Sequence, residues 1–119
     1  MATGNIQKPY EGYKEYTLSK EADATNFTLI RSHACKQGKT AFIQMVASVT
    51  SSQDETSVTV IKLPSDLYPA YEFETRICTY TQGLDCNINI STNGNFAIQR
   101  VPSEKGGNFR INLSYPTAT

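Results

Sequence analysis

Few of the 119 residues carry groups that could do chemistry in concert. His33 is the sole histidine, and Cys35 stands two positions beyond it. Residues two apart on a strand point the same way, so the two could face a common ligand. A Cys/His nucleophilic pair also needs a third group to orient the base, and a Ser-His-Asp arrangement would have to recruit this same histidine. No Gly-x-Ser-x-Gly elbow supports it, and His33 is more simply an edge or surface side chain beside a small thiol. Glu72 and Glu74 are the second constellation. On a strand they would share a face about 7 Å apart, a separation comparable with a glycosidase pair. Such pairs normally come from different elements lining a cleft, and two solvated charges on an exposed strand explain these residues more simply. No phosphate loop, metal-ligand cluster or dinucleotide fingerprint is present. The expectation is no catalytic residue, no metal site and no cofactor.

Binding fits the composition better than catalysis. Seven tyrosines and eight asparagines on a strand-and-loop scaffold suit recognition of polar ligands such as sugars. Aromatic faces pack on the C–H side of a sugar ring and amides satisfy its hydroxyls. The same residues also serve as sheet surface and turn formers. Tyr68, Tyr71 and Tyr80, with the loop residues Gln82 and Asp85, are the ligand-facing candidates.

The elements that must position these groups are strands. Thr, Val, Ile, Tyr and Phe suit pleated, half-buried surfaces, and stretches rich in helix formers are few. From Asn26, Phe27, Leu29 and Arg31 alternate with Thr28, Ile30 and Ser32, and Lys36 to Lys39 form a turn. Thr40 to Val49 place Ala41, Ile43, Met45, Ala47 and Val49 on one face at period two. Ser57 to Lys62 set Val58, Val60 and Lys62 against Thr59 and Ile61. Tyr71 to Tyr80 turn Phe73, Thr75 and Ile77 inward and Glu72, Glu74 and Arg76 outward. Cys86, Ile88 and Ile90 face the core up to Asn93-Gly94, the dipeptide that most strongly signals a hairpin, and Phe96 and Ile98 return. Phe109, Ile111, Leu113 and Tyr115 close the sheet. Seven or eight short strands at regular spacing make an antiparallel β-sandwich or jelly-roll-like head. Residues 1–25 read as an N-terminal arm or junction with one short helical turn near Lys20–Ala24, and residues 26–119 as the head domain.

Bulk properties narrow the partners. Eleven basic and eleven acidic residues leave no net charge, and nucleic acid or an anionic membrane would call for a basic excess. No apolar run reaches the ~20 residues of a membrane span, and no export signal opens the chain. Membrane insertion is not expected. Cys35, Cys78 and Cys86 are too few and irregular for a disulfide framework. They read as thiols, with a Cys78–Cys86 bridge across a hairpin as the open alternative. Ile30, Phe42 and Val46 put apolar side chains on the second strand face, which fits an oligomer.

The order of the motifs carries a resemblance. Leu63-Pro64-Ser65 with Tyr68-Pro69, then Ile88-x-Ile90-x-x-Asn93-Gly94-x-Phe96-x-Ile98, then Ile111-x-Leu113-x-Tyr115, resembles the C-terminal head domain of phage tail and baseplate proteins. These are the receptor-binding or upper-baseplate proteins of siphophages and related prophages. The match runs from Leu63 to Tyr115, and Asp66 stands where that turn often has Gly. The resemblance implies a non-enzymatic β-sandwich head, commonly a homotrimer, mounted with other tail or baseplate proteins and contacting host cell-surface saccharide. It places the protein in the virion, made in a bacterial cytoplasm, with the head following a longer shaft. The alternative is a purely structural virion component, such as a collar, adaptor or decoration protein, without a ligand site.

Overall fold

The computed structural model describes residues 12–24, 27–49, 57–78, 85–99 and 107–119, and the side chains of a few strand-end residues, Cys78 and Asp85 among them, fall outside that description. Eight strands run through them: β1 Tyr13–Tyr16, β2 Phe27–Gln37, β3 Thr40–Val49, β4 Ser57–Lys62, β5 Phe73–Cys78, β6 Asp85–Ile90, β7 Asn95–Gln99 and β8 Gly107–Pro116. They form two four-stranded antiparallel sheets, ordered β1-β2-β3-β8 and β4-β7-β6-β5. The expected all-β sandwich is present, with no α-helix among the described residues.

Strict alternation supplies the core. Ala41, Ile43, Met45 and Ala47 of β3 and Phe109, Ile111, Leu113 and Tyr115 of β8 are buried. Cys86, Ile88 and Ile90 of β6 and Phe96 and Ile98 of β7 meet them from the other sheet. Each large apolar side chain so buried stabilises the fold by about 1.5–3 kcal/mol. Two strands break the simple alternation through bulges, where one strand supplies an extra unpaired residue and its facing changes. In β2 the register shifts between Leu29 and Arg31, so Ile30 and Arg31 are both exposed. In β4 it shifts between Thr59 and Ile61, and Val60 and Ile61 are both fully buried. The expected separation of Val60 from Ile61 onto opposite faces is therefore corrected.

The first 25 residues contribute to the sandwich where they are described. β1 is the edge strand beside β2, with Tyr16 opposite Ala34, and Leu18 and Ala24 belong to the core. Lys20 to Ala24 make a turn rather than a helical segment. Lys20 bridges to Ile61, and Ala24 N–H reaches the Glu21 carbonyl at 3.0 Å.

The β6–β7 hairpin forms, with a different turn from the one Asn93-Gly94 suggests by itself. Gly94 N–H donates to the Ser91 carbonyl at 2.9 Å, which makes Thr92 and Asn93 the central residues. Gly94 follows in the left-handed region at φ +89°, the position that glycine occupies when a three-residue loop closes into a bulge. The turn is also where the distant motifs meet. Leu63 N–H donates to the Gly94 carbonyl at 2.8 Å. The Tyr68 ring lies over Gly94, and the Lys62 ammonium sits 5.1 Å from that ring's centre while donating to the Asn93 carbonyl. Tyr115 Oη donates to the Leu67 carbonyl at 2.7 Å.

β1 is tied to the 3-10 turn Ser65–Leu67 by a polar contact. Tyr16 Oη donates to Asp66 Oδ2 at 2.9 Å, and Lys14 Nζ lies 3.6 Å from the same oxygen. The hydrogen bond from Tyr16 holds the Asp66 carboxyl below its usual range. Burial, with that same bond, raises the Tyr16 hydroxyl from 10.0 to about 12. The Asp66 contribution to stability is present above its ordinary pKa and is lost as pH falls through its lowered value. The Tyr16 contribution is present below 10.0 and is lost as pH rises through about 12,. Tyr16→Phe should therefore lower the urea midpoint at neutral pH and shallow both the acid and the alkaline limbs of a midpoint-against-pH curve. An unchanged curve would show the contact to be idle.

Candidate functional site

The outward face of β2, β3 and β8 is a grid set by register. Arg31, Val46 and Arg110 form one cross-strand row, His33, Gln44 and Asn112 the next, and Cys35, Phe42 and Ser114 the third. Adjacent strands lie about 4.8 Å apart and successive rows about 7 Å apart. The grid therefore grades from cationic and aliphatic, through imidazole and amide, to aromatic and hydroxyl.

Phe42 is the feature that singles out this face. Its neighbours Ala41 and Ile43 are at 0% and 1% exposure, while Phe42 itself is 43% exposed. Leaving a large aromatic in water wastes burial that the core would otherwise gain, and an exposed apolar group ringed by polar ones marks a contact surface. His33, Gln44, Asn112 and Ser114 line a groove of about 360 Å³ with it. A second groove of about 300 Å³ continues along the face past Arg31, Val46 and Arg110. The amides of Gln44 and Asn112 each offer both donors and an acceptor, and Ser114 offers one more of each kind. An aromatic platform beside two amides can receive the C–H face of a sugar ring and bond its hydroxyls.

The residues picked from sequence fall elsewhere. Tyr68 is half-buried, with its ring over Gly94 and beneath Lys62. Tyr71 is 60% exposed just before β5. Tyr80 and Gln82 lie outside the described residues. Asp85 opens β6 opposite Cys78, and both side chains are likewise outside them, so the Cys78–Cys86 question falls there too. Cys86 is buried opposite Ile77. His33 and Cys35 do share a face, on successive rows of the grid. Glu72 and Glu74 also come together, since Asn89 Nδ2 donates to Glu72 Oε2 at 2.8 Å and to Glu74 Oε2 at 2.9 Å. With Arg76, Asn87 and Gln99 they line a polar groove of about 610 Å³ on the outer face of the second sheet.

No local sequence pattern groups Phe42, Gln44, Asn112 and Ser114 together. The available signal is Phe42 at the outward parity of β3, an apolar position that by itself fits an oligomer contact equally well. That Asn112 and Ser114 arrive beside it depends on β8 pairing with β3 across the 57 residues that separate the two strands, which no local pattern encodes.

Comparison with known proteins gives a likeness of fold. No family model matches the chain, and no curated protein matches it in sequence. Among solved structures it is similar to the head domain of phage bIL170, described with the receptor-binding domains of lactococcal phages. The TM-score is 0.63 at 18% identity, covering 87% of this chain and 97% of the other. At that identity the likeness is one of fold, and it agrees with the two-sheet antiparallel architecture built above. This chain has the fold of a lactococcal phage receptor-binding head domain.

Proposed function

We propose that the chain is a non-enzymatic attachment head of a phage or prophage tail, borne on the virion with other tail or baseplate proteins as a homotrimer. It recognises a host cell-surface saccharide through the Phe42 row of the β2-β3-β8 face. The observation that carries this reading is an exposed Phe42 with Gln44 beside it on β3 and Asn112 and Ser114 across the strands on β8, on a receptor-binding head fold. Phe42 stacks on a sugar ring, the amides bond its hydroxyls, and the binding step itself breaks no covalent bond.

Binding to host cell-wall polysaccharide tests it. An aromatic anchor at a contact is worth on the order of 2 kcal/mol, about thirtyfold in affinity. Phe42→Ala should lose that much binding and keep a near wild-type melting temperature, because its ring is largely outside the core. Tyr71→Ala, on the other sheet's approach, serves as the comparison for the loop residues chosen from sequence and should retain affinity. Loss confined to Tyr71→Ala would move the site to that loop. No binding by wild type to any host wall would favour a collar, adaptor or decoration role instead.

A further inference from the structure

We propose that copies of this chain associate head-to-tail, with the Arg31-Val46-Arg110 row of one copy seated on the Glu72/Glu74 face of the next. This rests on the oligomeric part of the reading above and adds which surfaces meet. The two faces are complementary in charge and in apolar content. On the first, Arg31 and Arg110 flank Val46 from β2 and β8, two strands and so about 10 Å apart. The β2 bulge adds Ile30, 49% exposed, beside them. On the second, Asn89 holds the Glu72 and Glu74 carboxylates together through a single amide nitrogen, and Tyr71, 60% exposed, adjoins them in the chain. Arg76 stands two residues further along β5, so the acidic pair occupies the end of the face nearest Tyr71.

The arginine row and the Glu72/Glu74 pair carry opposite charge, so opposing the two faces brings unlike charges together. Such complementarity fixes register and excludes wrong pairings. Ile30 and Val46 against Tyr71 supply the apolar centre that charge alone lacks. The faces belong to different sheets of the sandwich, so the contact joins two unlike patches. An interface of that kind closes into a ring when the rotation per copy allows, a trimer included. Phe42 lies two rows away from Val46, about 13 Å along β3, and stays outside the contact.

Sedimentation or light scattering on the full chain tests the assignment. Wild type should run as an oligomer well above the 13.2 kDa chain mass, and it should dissociate as salt is raised, since screening weakens such contacts. Glu72→Arg/Glu74→Arg should shift the population to monomer with the melting temperature retained. Arg31→Glu/Arg110→Glu should do the same, and so should Ile30→Lys, which leaves both charge sets in place. Combining all four charge reversals in one chain should restore the oligomer. An oligomer untouched by either charge-reversed pair would overturn the face assignment and leave the trimer standing. A wild-type monomer at 100 µM, roughly a hundredfold above a micromolar Kd, would overturn both, with saccharide binding decided separately by Phe42→Ala.

Discussion

Gly94→Ala is expected to destabilise the domain by roughly 2–5 kcal/mol, from the left-handed backbone cost and the overpacking together. Two independent features of Gly94 produce this. Its φ of +89° lies where a Cβ meets its own backbone, and that Cβ would stand 2.3 Å from Cε1 and 2.6 Å from Cδ1 of the Tyr68 ring. The ring cannot yield freely, because Tyr68 packs beside Lys62 and its backbone N–H and carbonyl are both bonded, to Ser65 and from Ala118. For a domain of this size the melting temperature should fall by roughly 10 °C or more. Tyr68→Ala/Gly94→Ala separates the two contributions. Removing the ring should recover the steric part and leave about 1–2 kcal/mol of backbone cost. A Gly94→Ala protein within 0.5 kcal/mol of wild type by urea titration, roughly the scatter of an innocuous surface change, would mean that the turn relaxes at no cost.

Tyr115 should be nearly as sensitive, for a different reason. It is 2% exposed, and its hydroxyl donates to the carbonyl of fully buried Leu67. Its ring lies 5.5 Å from that of Phe73 at an interplanar angle of 37°. Tyr115→Phe keeps the ring and removes the donor, so the Leu67 carbonyl loses this bond in a place water reaches poorly. A loss of about 1–3 kcal/mol should follow. Tyr115→Ala removes the ring as well and should cost about 3–5 kcal/mol. Equal losses in the two variants would show that the hydroxyl carries the whole effect. A silent Tyr115→Phe would show that it carries none. Burial also pushes the Tyr115 hydroxyl pKa upward, which adds to the alkaline limb described for Tyr16.

These two residues explain why the motif order in the sequence was informative. Leu63-Pro64, Tyr68, Gly94 and Tyr115 are far apart in the chain and close around one turn, where each supplies a contact another needs. The Pro69–Thr117 bridge, with Ala118 N–H to the Tyr68 carbonyl at 2.9 Å, fastens the C-terminus to the same place. Strand identity and facing were legible wherever alternation was clean, as in β3, β6 and β8. They were misread at β4, where a bulge changes the parity in a way that Val58 to Lys62 do not announce. β1 was missed because its residues, Tyr-Lys-Glu-Tyr, form a strand only through pairing with β2.

The proposed ligand face was far less legible than the fold. Phe42 is visible as an apolar residue at an outward position, yet apart from Gln44 its polar neighbours come from other strands, His33 from β2 and Asn112 and Ser114 from β8. Tyr68 has a structural part that its sequence context does not show. A tyrosine in a turn invites a ligand role, and its ring here covers the one glycine that the hairpin requires. What a turn aromatic does is set by what the rest of the chain brings beneath it.

Amide and side-chain chemical-shift mapping, with oligosaccharide released from the host cell wall, locates the binding face directly. Titration should shift signals of His33, Phe42, Gln44, Asn112 and Ser114 together, saturating with one affinity that Phe42→Ala reduces about thirtyfold. Shifts centred on Tyr71, Glu72, Glu74 and Asn89, with the Phe42 row unmoved, would contradict a saccharide site on the β2-β3-β8 face.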